Sequence, residues 1–262
     1  MTTIKLWETA PGLCEEEPIL EYYPAAEKRT DATVVIFPGG GYARRAAHEG
    51  QGYAEYLNSI GMDAFVLQYR CNVHHFPHPL ADARRAVRTV RARKDEFGID
   101  PEKIAVMGSS AGGHLAAMAS TYFAPLGAEW EELDEIDKQE CAPNATILCY
   151  PVINISNLAV THIGTLQYLL ADRIGMAPAL DPALTVNEKT PMAFIWHTSD
   201  DSGVNVINSY RYAEALRKQN IPTEMHIFPK GPHGLGLAPS HPHVAQWASL
   251  LQNWFIYNGW LS

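Results

Sequence analysis

The chain has little of what several protein classes require. Its 262 residues include only four cysteines, Cys14, Cys71, Cys141 and Cys149, with no CxxC or CxxxC spacing. A disulfide framework is therefore not needed, and free, partly buried thiols are expected. No run of about 18 apolar residues occurs, so no membrane-spanning helix is expected. The start, Met-Thr-Thr-Ile-Lys-Leu-Trp-Glu, has neither a basic nor an apolar leader region, and the chain reads as soluble and cytoplasmic. Cationic excess is missing too: 20 Lys and Arg stand against 29 Asp and Glu, a formal charge of −9. That balance opposes nucleic acid and anionic membranes as partners and favours a small or neutral one. Neither a linker nor an internal repeat divides the sequence, so 1–262 is expected to form a single domain.

What is present is an alternation of strand-like and helix-like segments, which predicts an α/β fold with a mostly parallel sheet and helices on both faces. Strands are expected at 34–37, 64–69, 103–107, 146–150, 192–196 and 223–228, with an antiparallel edge strand at 19–23. Helices are expected at 49–60, 80–97, 206–219 and 243–257. In the second of these, Arg84, Arg85, Arg88 and Arg91 alternate with apolar residues, as on a solvated amphipathic face. Residues 130–135 read as an acidic surface segment. The stretch 151–190 is too long for an ordinary connection and is a candidate small cap over a site. The cluster His74-His75-Phe76-Pro77-His78 contains no carboxylate or cysteine and adjoins prolines, so a loop is expected there rather than a metal site.

Chemistry enters at Gly108-Ser109-Ser110-Ala111-Gly112-Gly113, between an apolar strand and a helix-favouring segment. A serine held at a sharp strand-to-helix turn needs neighbours without side chains, and Gly108 and Gly112 flank Ser110 at two residues on either side. Ser110 is the candidate nucleophile. A serine hydroxyl requires a base oriented by a carboxylate, in the chain order serine, acid, histidine. Asp200 and Asp201 both follow the strand ending at Trp196, and His233 follows the last strand between Gly231 and Gly234. Pro38-Gly39-Gly40-Gly41-Tyr42 follows the strand ending at Phe37. Its backbone N–H groups can approach a substrate oxygen, joined by the N–H of Ala111. Gly40, Gly41 and Ala111 are the candidate oxyanion hole, and Tyr42 the candidate substrate contact. No Lys-Ser/Thr sequel makes the glycine run a phosphate loop.

Together with Asp201-Ser202-Gly203-Val204 and Gly231-Pro232-His233-Gly234, these motifs resemble the α/β-hydrolase esterases grouped with bacterial acetylxylan and feruloyl esterases (BD-FAE-like), from about residue 30 onward. The resemblance selects Asp201 over Asp200, because the family's acid is followed by valine three residues later. Two positions depart from related patterns: Asn205 stands where proline often follows that valine, and Pro38 where hormone-sensitive-lipase-like relatives begin the loop with histidine. It implies a serine esterase without metal or organic cofactor, releasing a short acyl group such as acetyl from a small-molecule or oligosaccharide ester. Spacing alone stops at serine hydrolase. An amide-cleaving relative of arylformamidase or small-peptidase type, and a catalytically silent binding protein of the same fold, stay open at this point.

Overall fold

The strands carry their apolar residues on both faces, as burial between two helical layers demands. In the computed structural model, which describes residues 1–12 and 16–262, they form one eight-stranded sheet. In chain order the strands are β1 (Thr2–Lys5), β2 (Ile19–Tyr23), β3 (Thr33–Phe37), β4 (Asp63–Gln68), β5 (Ile104–Ser109), β6 (Ala145–Cys149), β7 (Met192–Thr198) and β8 (Thr223–Phe228). Their order across the sheet is β1-β2-β4-β3-β5-β6-β7-β8, with β2 antiparallel to both its neighbours, β1 and β4, and every other pair parallel. The helices are α1 (Gln51–Ser59), α2 (His78–Ala92), α3 (Lys94–Phe97), α4 (Ser110–Thr121), α5 (Ala128–Glu131), α6 (Ile163–Leu170), α7 (Pro182–Thr185), α8 (Ile207–Lys218) and α9 (Pro242–Tyr257). This is the α/β-hydrolase fold. No described helix is long and apolar enough to cross a membrane.

The period of two along each strand divides the core. Val35 and Phe37 of β3 pack into a cluster with Leu80, Leu115 and Leu216, under α2, α4 and α8. Val34 and Ile36 face the other cluster, with Tyr53, Leu57, Trp247 and Trp254 of α1 and α9. The chain runs from β3 to β4 on one side and then returns to β5 on the other, so β3 and β5 flank a topological switch point. Phe37 lies opposite Gly108 in that pair. Loops leaving the C-terminal ends of these two strands therefore share one crevice, the usual ligand site of an open α/β sheet.

Three sequence expectations need correction. The segment 19–23 is a strand but not the edge, because β1 pairs outside it. The helices expected at 49–60 and 80–97 are interrupted: Ala47–Glu49 form a 3-10 turn before α1, and α2 ends at Ala92, with one residue between it and the start of α3. The arginine face of α2 is not solvated, since Arg84 and Arg85 are each 2% exposed. Arg84 Nη1 bonds to Glu131 Oε1 at 2.6 Å, and Arg85 bonds to Asp134 and Asp137 at 2.5 and 2.9 Å. Arg91 donates to the carbonyls of Glu140 and Ala142. Guanidinium groups carry five donors, and here they satisfy Glu131 and Asp134 of the segment 130–135 expected to be an acidic surface, and beyond it Asp137 and the carbonyls of Glu140 and Ala142. Helical periodicity reveals a polar stripe but not what covers it. Of the cysteines, Cys71, Cys141 and Cys149 are free and buried, and Cys14 lies outside the described residues.

His114, on α4, is completely buried, and its Nε2 donates to Leu180 O at 2.9 Å. A carbonyl can only accept, so the neutral ring accepts at Nδ1 from the Tyr42 hydroxyl, also at 2.9 Å. Burial pushes the His114 pKa down to about 4 from an ordinary 6.5. The folded value lies below the unfolded one, so the unfolded chain binds more protons between them. Stability contributed by neutral His114 is full above about pH 6.5 and is lost as pH falls towards 4. The loss is expected to be about 3 kcal/mol by pH 4. Urea midpoints measured from pH 7 to 4 should fall more steeply for the natural protein than for His114→Asn.

Candidate active site

The nucleophile elbow is built by close backbone contact. Ser110 opens α4 with φ of 55°, a conformation L-residues seldom adopt, and its carbonyl is held by Val152 N–H at 2.9 Å. A Cβ on Gly108 would lie 2.0 Å from Gly112 O, and one on Gly112 would lie 2.0 Å from Phe37 O. Only glycine fits either position, which accounts for the motif in steric terms. The neighbouring Ser109 side chain turns elsewhere, within 2.8 Å of the buried Tyr53 hydroxyl.

The loops after β7 and β8 bring the other two candidates to this turn. His233 Nε2 lies 2.8 Å from Ser110 Oγ, and His233 Nδ1 lies 2.7 Å from Asp201 Oδ2. Asp201 Oδ1 accepts from the backbone of Gly203 and Val204 at 2.8 and 2.9 Å, while His197 Nε2 lies 3.3 Å from Oδ2. Burial alone would raise the Asp201 pKa. Hydrogen bonding to His197 and His233, the charge on His233 and the Val204 N–H outweigh it and hold the carboxyl well below the usual range. With an ionised acceptor at Nδ1, the His233 proton sits there, and Nε2 is free to accept from Ser110. Asp200 plays a different part. Its Oδ1 accepts from Gly231 N–H at 2.8 Å and so ties down the loop that carries His233.

Gly40 and Gly41 have φ of 127° and 68°. Gly39 N–H is already committed to Glu49 Oε2 at 2.8 Å, but the N–H groups of Gly40 and Gly41 have no protein acceptor among the described residues. Ala111 lies in the first turn of α4, where backbone N–H groups lack an intrahelical partner. Gly40, Gly41, Ser110 and His233 line a cavity of about 430 Å³, together with Ala43, Ala46, His48 and, from the 151–190 segment, His162, Gly164 and Tyr168. Tyr42 is a correction. Its side chain is 1% exposed, turned into the core towards His114, and it is absent from the cavity wall. A positive φ of 59° at Tyr42 reverses the chain after the glycines and carries the ring inward.

Sequence reasoning missed the supports of this site. Glu49 is buried and accepts at once from Gly39 N–H and, at 2.8 Å, from the Tyr150 hydroxyl. That hydroxyl also accepts from Gly236 N–H at 2.9 Å, and the Tyr150 ring meets His233 edge-on at 5.1 Å. One carboxylate and one phenol thereby link the glycine loop to the histidine loop. Neither carries a sequence signal, because Glu49 falls within an expected helix and Tyr150 within an ordinary strand. His197 stands near the end of β7, four residues before Asp201, and only the geometry brings it to the carboxylate. Among the described residues, no group of three or more His, Cys, Asp or Glu could hold a metal ion.

A family model for BD-FAE matches residues 21–216. The chain belongs to the BD-FAE family. Ser110 and Asp201 fall inside the match, and His233 lies beyond its end. The chain is 36% identical over 216 residues to endo-1,4-beta-xylanase B of Butyrivibrio fibrisolvens, covering 78% of this chain and 32% of that protein. It is 30% identical over 239 residues to the acetylxylan esterase of Xylanibacter ruminicola, covering 87% of this chain and 46% of that one. It thus spans less than half the length of these curated relatives. A likeness over nearly full length is to the crystal structure of the acetyl ester-xyloside bifunctional hydrolase of Caldicellulosiruptor lactoaceticus. That protein is 40% identical with a TM-score of 0.93, and the match covers 100% of this chain and 97% of that one.

Proposed function

We propose that this BD-FAE family chain is a serine carboxylesterase that removes short acyl groups, acetyl above all, from carbohydrates through an acyl-enzyme. The observation that carries the reading is the continuous Ser110–His233–Asp201 hydrogen-bond chain beside the N–H groups of Gly40 and Gly41, which have no acceptor among the described residues. Ser110 attacks the ester carbonyl as His233 takes its proton, and Asp201 holds the imidazole and stabilises its charged form. The N–H groups of Gly40, Gly41 and Ala111 stabilise the tetrahedral oxyanion. His233 then protonates the leaving alcohol, and in the second half it activates water against the acyl-enzyme. The names of the xylan-related relatives support a sugar as the alcohol. In this reading 1–262 works as one domain, with 151–190 as a small cap over the cavity.

The cavity supports short acyl groups. Apart from glycines, its aliphatic wall residues are Ala43 and Ala46, and the rest are polar or aromatic. A long acyl chain gains about 0.8 kcal/mol per methylene only where an apolar groove buries it. On p-nitrophenyl esters from acetate to decanoate, kcat/KM is expected to be highest at acetate and to fall as the chain lengthens. A steady rise with chain length would overturn the short-acyl reading.

A further inference from the structure

His162 caps the N-terminus of α6 through its ring: Thr165 N–H donates to His162 Nδ1 at 3.1 Å, and Thr165 Oγ1 lies 2.8 Å from the same nitrogen. A backbone N–H can only donate, so Nδ1 carries no proton. The neutral ring must hold its proton on Nε2, which has no protein partner among the described residues. Burial, followed by the charge on nearby His233, lowers the His162 pKa and keeps the ring neutral. The helix cap acts in the same direction, since a proton on Nδ1 would face the Thr165 N–H. The ring is half-buried and lines the cavity that holds Ser110, beside Gly41 and Gly164. A ring N–H with no protein acceptor among the described residues therefore belongs to a side chain that lines the same cavity as Ser110 and His233.

We propose that His162 Nε2–H donates a hydrogen bond to the sugar hydroxyl adjacent to the scissile ester and so selects carbohydrate esters over simple ones. The inference rests on the esterase reading above. The ester carbonyl oxygen already has its donors in Gly40, Gly41 and Ala111, and the leaving oxygen takes its proton from His233. What a carbohydrate ester adds is a vicinal hydroxyl oxygen on the alcohol side, an acceptor that p-nitrophenyl acetate lacks. A fixed tautomer makes the donor selective, because the ring cannot turn an acceptor towards the substrate without giving up the cap.

The test compares His162→Asn and His162→Ser with the natural protein. Both replacements are good helix caps for the Thr165 N–H, and neither extends a donor as far as the imidazole does. kcat/KM is measured for an O-acetylated xyloside and for p-nitrophenyl acetate, with Tm checked for each variant. The ratio of the two specificities is expected to fall about 3- to 10-fold in both variants, mainly through KM for the acetylated sugar, as befits one neutral hydrogen bond. An unchanged ratio, or an equal loss on both substrates, overturns the assignment of His162 and leaves the esterase reading standing. A natural protein that cleaves p-nitrophenyl acetate but no acetylated sugar overturns both the sugar reading and this role.

Discussion

Replacing Ser110 by alanine is expected to reduce kcat on p-nitrophenyl acetate by a factor on the order of 10⁶, the scale on which loss of the nucleophile acts in a serine-protease triad. The change removes one oxygen and its bond to His233, and alanine tolerates the same 55° φ no worse than serine does. Thermal stability should therefore stay near that of the natural protein. Ser109→Ala is the internal control, since that hydroxyl pairs with Tyr53 in the core. It is expected to cost about 1 kcal/mol of stability while leaving the reaction running. Mass spectrometry after fluorophosphonate treatment checks the assignment directly. An adduct on any residue other than Ser110 would mean that the nucleophile has been misassigned.

The second large effect belongs to Asp201→Asn, expected to lower kcat by about 10⁴. Geometry explains why an isosteric change should be so costly. Asp201 Oδ1 is held by the N–H groups of Gly203 and Val204, so the asparagine carbonyl is drawn to that side. Its NH₂ group then faces His233 Nδ1 and forces the proton onto Nε2, where it confronts Ser110 instead of accepting from it. Asp200→Asn keeps a carbonyl oxygen for Gly231 N–H and should lose no more than a few-fold. Measuring kcat for both variants on one activated ester separates the neighbours. A crippled Asp200→Asn beside an active Asp201→Asn would reverse the assignment.

Local sequence was enough wherever the physical demand was itself local. Gly108 is required by the backbone of Gly112 one turn on, so the elbow was legible as a pentapeptide even though the carbonyl that excludes a side chain at Gly112 is that of distant Phe37. The parallel strands were legible because burial on both faces leaves continuous apolar runs. The choice between Asp200 and Asp201 was not legible from spacing, because both leave the same strand end and differ only in the direction their carboxylates take. Family resemblance made that choice, and the two hydrogen-bond patterns give it a physical reason.

Tyr42 and the arginines of α2 show the opposite limit. A tyrosine after three glycines looks like a loop side chain available to substrate, yet the backbone turn buries it against His114, more than seventy positions away. Arg84 and Arg85 have the spacing of a wet helix face and become buried because a later segment supplies carbonyls and carboxylates at matching positions. The sequence by itself determined the layered α/β architecture, the elbow serine, the glycine loop and the loop histidine. The architecture follows from periodicity along each segment, and the serine, the glycine loop and the histidine from their places directly after strands. Only the tertiary structure gave the physical reason that Asp201 rather than Asp200 meets His233, and showed that Glu49 and Tyr150 brace the two loops and that His162 lines the cavity while its Nδ1 caps α6. Those facts depend on where distant segments converge, and hydrogen-bond direction appears only once both partners are in place.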